Sequence, residues 1–334
     1  MTKISRPAHI IDDGHAHIQF GVDPRDTLKK YGYCVIENVF NKEFCKETIA
    51  QMWDWLRGLN TGIKKDDPTT WSDSNWPYHI RSGMLQHTLG QEEFMWKARE
   101  HKNVIEVFSK IHNTNKLLSS FDGANINRPI SSGYTSESND SWLHTDQDIV
   151  ELDTESVYTS KYYSIQGVAN FEDVGDNDGS LFLGVGSHLY HKKLFEWNNK
   201  KPKNNWYVLT ANDIKHLISV GINFVKVNAP AGSLLLFDSR CFHSGSNSVG
   251  GDNNRFRFVI YVSLSPAERG TEKDLELKKE AVMTGRTTSH WSSSNIKIFP
   301  LPRKISAYMT RAKNIPKYKE WSDERCKLAG LFKY

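Results

Sequence analysis

The stretch Ser141-Trp142-Leu143-His144-Thr145-Asp146-Gln147 sets an imidazole and a carboxylate two residues apart. In a strand, the period-2 alternation puts both side chains on one face, within reach of a single metal ion. A third candidate donor, His243, follows the apolar run Leu234-Leu235-Leu236-Phe237 and opens a polar, Gly-containing turn. Two histidines and one carboxylate make the facial triad of non-haem Fe(II) sites, which leaves an octahedral face open for a cosubstrate and O2. A His-X-Asp pair alone is a weak signal, so the surrounding residues carry the argument.

Downstream, Arg255-Phe256-Arg257-Phe258-Val259-Ile260-Tyr261-Val262-Ser263 alternates as a strand, with Arg255, Arg257, Val259 and Tyr261 on one face. An arginine pointing into a β core needs an anion or carbonyl to pair with, and a bidentate carboxylate suits it best. A structural salt bridge to an internal acid is the competing reading. A second donor pair lies at Asp13-Gly14-His15-Ala16-His17. His-X-His near the N-terminus is also how metal-dependent amidohydrolases begin, but that fold needs repeated strand-helix units building an eight-stranded barrel. The chain shows no such series, so surface histidines are expected there and a His15/His17 hydrolase is kept as an alternative.

These residues need elements to position them. Tyr31 to Phe40 reads as a strand, and Asn41 as the N-cap of a helix with Phe44, Ile49, Met52, Trp53 and Leu56 at helical spacing. Gly58 to Tyr78 reads as a long irregular loop anchored by Trp71 and Trp76. Gln91 to Ser120 is helical in pattern. From Phe121 to about Ser265 the pattern becomes short strands and Gly/Asp/Asn turns. Strands are expected at 161–171, at 179–185 ahead of the corner Gly186-Ser187-His188, at 222–228 and at 232–237. His188 and His191 read as turn or supporting positions rather than ligands. Lys192 to Ser219 is a polar excursion whose segment Asn198 to Asn205 reads as a solvated loop. A charged helix is expected from Glu272 to Met283, followed by Arg286 to Trp291 and a basic, Pro-interrupted tail.

Composition narrows the class. The 334 residues, 38% hydrophobic with ten Trp, describe one ordered globular unit with decorations. No run approaches the roughly 20 apolar residues of a membrane helix, and no signal-peptide core follows Met1, so a soluble, cytoplasmic protein is expected. Cys34, Cys45, Cys241 and Cys326 are scattered and read as reduced thiols. A net charge of +4 is mild. A nucleic-acid partner is not expected, and Lys and Arg near the mouth favour an anionic small-molecule substrate.

The order His144-Thr145-Asp146, Asp178-Gly179-Ser180-Leu181 leading to Gly186-Ser187-His188, His243-Ser244-Gly245, then Arg257 resembles the phytanoyl-CoA dioxygenase-like family of Fe(II)/2-oxoglutarate oxygenases. Tyr31 to Val39 is similar to that family's first strand. The resemblance covers roughly Asp26 to Pro266. It implies a mainly β fold with flanking helices, a double-stranded β-helix of jelly-roll, cupin-like type. The expected domains are a leader (1–25), a dioxygenase domain (26–266, core about 121–266) and a C-terminal extension (267–334). It also implies Fe(II), 2-oxoglutarate and O2 as cofactor and cosubstrates, with His144, Asp146 and His243 as catalytic iron ligands. Arg257 would clamp 2-oxoglutarate, with Arg255 as the fallback, and Gln166 and Ser180 would line the pocket. The reaction implied is C–H hydroxylation with release of succinate and CO2, favoured over halogenation because Asp146 fills the position that chloride takes in related halogenases. A catalytically silent barrel used for recognition is the other alternative. The corner reads Val185-Gly186-Ser187-His188 where the family has Pro-Gly-Ser-His, and the loops at 58–78 and 192–219 are long, so the family's substrates do not carry over.

Overall fold

Alternate residues of Leu234–Asp238 fall into two separate apolar clusters, which is what fixes the layering. Leu234 and Leu236 pack with helical residues such as Trp55 and Phe108, whereas Leu235 and Phe237 pack with Leu181, Leu183 and Val225 of a facing sheet. The same division runs through Arg257–Val262: Phe258, Ile260 and Val262 face the helices and Val259 faces inward. A strand buried on both faces is the signature of a sheet covered by helices outside and by a second sheet inside.

The computed structural model describes residues 4–80, 83–86, 89–130, 141–149, 163–249, 255–300 and 318–334. Its strands are β1 (His17–Gln19), β2 (Tyr33–Glu37), β3 (Met84–Leu85), β4 (Leu117–Ser119), β5 (Ala124–Asn127), β6 (His144–Thr145) and β7 (Ile165–Asn170). They continue with β8 (Ser180–Gly184), β9 (Tyr207–Val208), β10 (Phe224–Lys226), β11 (Leu234–Asp238), β12 (His243–Ser246), β13 (Arg257–Val262) and β14 (Leu264–Pro266). One sheet has the order β1-β2-β11-β7-β13-β5-β3 and the facing sheet β10-β8-β12-β6-β9, with β14 and β4 paired apart. Apart from β1 with β2, the pairings within these sheets are antiparallel. This is the expected double-stranded β-helix, mainly β with flanking helices and without a closed barrel.

Helices α1 (Arg25–Tyr31), α2 (Lys42–Arg57), α3 (Glu93–Arg99) and α4 (Lys102–His112) belong to the N-terminal part, and α5 (His191–Asn198), α6 (Ala211–Ser219), α7 (Glu272–Met283) and α8 (Asp323–Ala329) to the rest. Asn41 caps α2, its Oδ1 accepting from Phe44 N–H at 2.8 Å. Gly32 ends α1 at φ 79°, and a Cβ there would lie 2.5 Å from His188 Nδ1 and 2.6 Å from Cys241 Sγ. Only glycine lets the chain turn into β2 that close to the turn after β11.

Two expectations change and a third holds. The helical stretch 91–120 is two helices and a strand, because His101 breaks the run and caps α4, its ring nitrogen accepting from Asn103 N–H at 3.3 Å, while Leu117–Ser119 pairs with β14. The excursion 192–219 is ordered by α5, β9 and α6, the last started by a reciprocal Thr210/Asp213 capping box. In 58–78, Trp71 and Trp76 do anchor the loop: the Trp71 ring is 4.7 Å and the Trp76 ring 6.2 Å from Phe256. The first two residues of the strand expected at 161–171 and residues 301–317 of the basic tail lie outside the described residues. Among the described residues no helix is long and apolar enough to cross a membrane.

Candidate metal centre

Strands β6 and β12 pair so that His144 and His243 are directly opposite each other, with ring centroids 4.3 Å apart. Each imidazole is fixed by its own backbone. His144 Nδ1 is 2.9 Å from the Trp142 carbonyl, and His243 Nδ1 is 2.9 Å from the Cys241 carbonyl. A carbonyl only accepts, so both Nδ1 atoms carry the proton and both Nε2 atoms present a lone pair to the interior. Strand β6 ends at Thr145, but Asp146 keeps its direction through N–H to Ser239 O, 3.1 Å. Its Oδ1 lies 3.7 Å from His144 Nε2 and its Oδ2 3.4 Å from His243 Nε2. One ligand atom from each of the three residues lies within 4.8 Å of the others, and all three residues are buried.

The electrostatics suit a cation. Burial first, and then the charge of His243, pushes the His144 pKa down to about 3, so its imidazole is neutral as a ligand must be. Burial works against the Asp146 charge, but His144, His243 and His290 hold its carboxyl well below the usual range. Gln166 donates from Nε2 to Asp146 Oδ2 at 2.8 Å, which orients the carboxylate. Two imidazoles and one carboxylate are a donor set consistent with Fe(II), and they leave room for 2-oxoglutarate and O2.

The triad opens on a cavity of about 380 Å³, and Arg257 lines that same cavity. Arg257 is 5% exposed. Among the described residues no carboxylate lies within ion-pair distance of it; its neighbour is Tyr261, two strand repeats along the same face. Burial lowers the Arg257 pKa, with Tyr261 opposing.

The remaining candidates separate. Gln166 lines the cavity. Ser180 does not: it is buried, and its hydroxyl donates to the Val227 carbonyl on the far side of β8. Arg255 also departs from expectation. Its N–H is captured by Asp178 Oδ1 at 2.7 Å and its guanidinium by Asp178 and Asp173, so β13 begins only at Arg257 and Arg255 turns to the surface, 39% exposed along its side chain. His15 is exposed on Asp13 at 2.6 Å, and His17 sits between Glu37 and Asp12 at 2.9 and 3.3 Å. Neither belongs to a three-donor metal group among the described residues. His188 meets the Lys29 carbonyl and His191 the Thr145 hydroxyl, each at 3.1 Å.

Sequence patterns missed much of the wall. Trp142 stacks on His144 at 4.7 Å from one side and Trp206 approaches it at 4.3 Å. Asn204 and Asn205, expected to be a solvated loop, line the cavity with Trp206. His290, with Nδ1 3.9 Å from Asp146 Oδ2, and Trp291, Lys297 and Phe299 come from the segment after α7. Local spacing carries no signal for these contacts; only the adjacent aromatic and basic residues in each segment hint at them.

Comparison with known proteins agrees. The chain is 27% identical over 267 residues to the Ava biosynthesis cluster protein O of Aspergillus versicolor, a match spanning 77% of this chain and 82% of that one. Among solved structures, a protein of Salmonella typhimurium LT2 superimposes with a TM-score of 0.61 at 13% identity, covering 94% of this chain and 86% of that one. Protein JW0805 of Escherichia coli gives 0.58 at 13% identity, covering 94% and 85%. At that identity the two structures speak to the fold alone. The phytanoyl-CoA dioxygenase (PhyH) family model matches residues 28–255, from α1 through all three candidate metal donors to within two residues of Arg257. Over that span the chain belongs to the phytanoyl-CoA dioxygenase family of Fe(II)/2-oxoglutarate oxygenases.

Proposed function

We propose that this chain hydroxylates an unactivated C–H bond of a small molecule, using Fe(II), 2-oxoglutarate and O2. The observation that carries the reading is Arg257: a buried guanidinium without a carboxylate partner among the described residues, on the same cavity as two imidazoles and a carboxylate. An unpaired buried charge costs several kcal/mol, and a dicarboxylate reaching from the metal to Arg257 removes that cost. On sequence alone, the Lys and Arg near the mouth favour an anionic substrate; Arg257 is assigned to the cosubstrate instead.

His144, Asp146 and His243 would hold the iron. Bound there, iron supplies the coupling of O2 reduction to decarboxylation of 2-oxoglutarate, so that one oxygen atom leaves in succinate and the other enters the substrate C–H bond. The protein's own groups do the positioning. The Trp142 and Cys241 carbonyls fix the two imidazole rings, and Gln166 holds the Asp146 carboxylate. Arg257 would take the distal carboxylate of 2-oxoglutarate and so orient the molecule. Trp142, Trp206 and Phe237 crowd the two histidine rings and keep bulk water from them. Asp146 occupies the position that a halogenase would leave to chloride, which favours hydroxylation.

Anaerobic titration with Fe(II) and 2-oxoglutarate tests the assignment, followed by the visible charge-transfer band of the chelate. The band should survive in His15→Ala, vanish in Asp146→Ala, and require about 100-fold or more additional 2-oxoglutarate in Arg257→Ala. A wild-type protein that binds metal but gives no band would overturn the oxygenase reading, and an unchanged requirement in Arg257→Ala would overturn the clamp.

A further inference from the structure

The metal cavity contains one acid that the proposed chemistry leaves unused. Asp122 is 8% exposed and lines the cavity. Its Oδ1 accepts from Gly123 N–H at 2.7 Å, while its other oxygen has neither a hydrogen bond nor an ion pair among the described residues. The buried Arg99 makes no ion pair with the carboxylate: it donates to two carbonyls, Gly90 O at 2.5 Å and the backbone oxygen of Asp122 itself at 2.8 Å. We propose that Asp122 recognises the substrate by a protonated nitrogen, an amine or guanidine, carried on an apolar or aromatic body. The inference deepens the oxygenase reading and depends on it only for the fate of the bound molecule.

Three observations point to this chemistry. A carboxyl held in a largely apolar cavity is poorly solvated: burial pushes its pKa up to about 7, and Asp146 adds to the rise against Gly123 N–H and Arg99. A donor from the ligand meets that need, and a cationic donor forms a charge-assisted bond roughly twice as strong as a neutral hydroxyl does. The walls are aromatic. Trp142, Trp206, Trp291 and Phe299 line the same space, and such faces accept both an apolar body and a cation. The acid and part of that wall form one unit, because Phe121 exchanges hydrogen bonds with Thr288 (Thr288 N–H to Phe121 O, 3.0 Å; Phe121 N–H to Thr288 Oγ1, 3.1 Å). Thr288 in turn leads directly into His290 and Trp291. An anionic head placed against Asp122 would be repelled by it; the one anion the proposed chemistry needs would lie instead against Arg257, which lines the same cavity.

Calorimetric titration of the metal-free protein with phenethylamine and with 2-phenylethanol, which share a body and differ in the head group, tests the assignment. The amine should bind about tenfold more tightly than the alcohol in the wild type and in Arg257→Ala. In Asp122→Asn, which keeps an oxygen for Gly123 N–H, the two should bind alike; Asp122→Ser serves if that variant does not fold. Equal binding of the two in the wild type, no amine binding up to about 10 mM, or a preference that persists without Asp122 would each overturn the proposal. Because neither iron nor 2-oxoglutarate is present, this outcome is independent of the charge-transfer titration.

Discussion

The two sides of the cavity are built by different means. On the metal side, each histidine is tied to a carbonyl two residues before it, and the two face each other across neighbouring strands. The rest of the wall comes from Asn204–Trp206 and from Ser289–Phe299, segments far apart in the chain. A link between them is a single bond from Lys297 Nζ to Asn204 O at 3.1 Å. The first side lies inside the span shared with the family; the second wall segment lies beyond it. Short local constraints on a sheet give the precision that metal chemistry requires, and loops fastened by a few long-range contacts leave the selecting surface free to vary.

Substitutions on the two sides should therefore differ in kind as well as size. Asp146→Ala removes a donor and should abolish measurable Fe(II) binding, seen by metal analysis after desalting, with the fold retained by circular dichroism. Gln166→Ala leaves the donors in place but frees the carboxylate, and Fe(II) affinity should drop about 10- to 100-fold. An unchanged affinity would mean that Asp146 is held by other groups. Phe299→Ala, on the wall, should leave the Fe(II)/2-oxoglutarate band unaltered while phenethylamine binding falls roughly fivefold, about 1 kcal/mol for a half-buried ring. If the band disappears instead, the two sides are not separable. The smallest effect is expected for Lys297→Met: an exposed donor lost to solvent should shift Tm by no more than about 1 °C.

Much of the metal side was legible in the sequence because its information is local. The two-residue spacing of His144 and Asp146, the apolar run before His243 and the alternation beyond Arg257 are each a property of a few consecutive residues. The same alternation failed at Arg255, where a tertiary contact with Asp178 takes the backbone N–H that the sheet would otherwise have used. Ser180 failed for a different reason: in a strand buried on both sides, polarity does not say which way a hydroxyl points. Trp206 and His290 could not be assigned at all, since their place depends on α5, α6 and the segment after α7 folding back over the sheets. Asp122 had no motif to mark it, and its significance comes from the cavity around it.

The direct opposition of His144 and His243 also bears on how the gene can change. Side chains in a strand alternate, so one residue added or removed between Phe237 and His243 would present Phe242 or Ser244 to Asp146 in place of an imidazole. Point substitutions in that turn should be tolerated where they keep the chain length, whereas single-codon insertions and deletions should be purged. Between Asn198 and Asn205, outside the paired strands, length variation should accumulate. The molecule thus carries a constraint on length, at the scale of single residues, in one part of its cavity and freedom to drift in another.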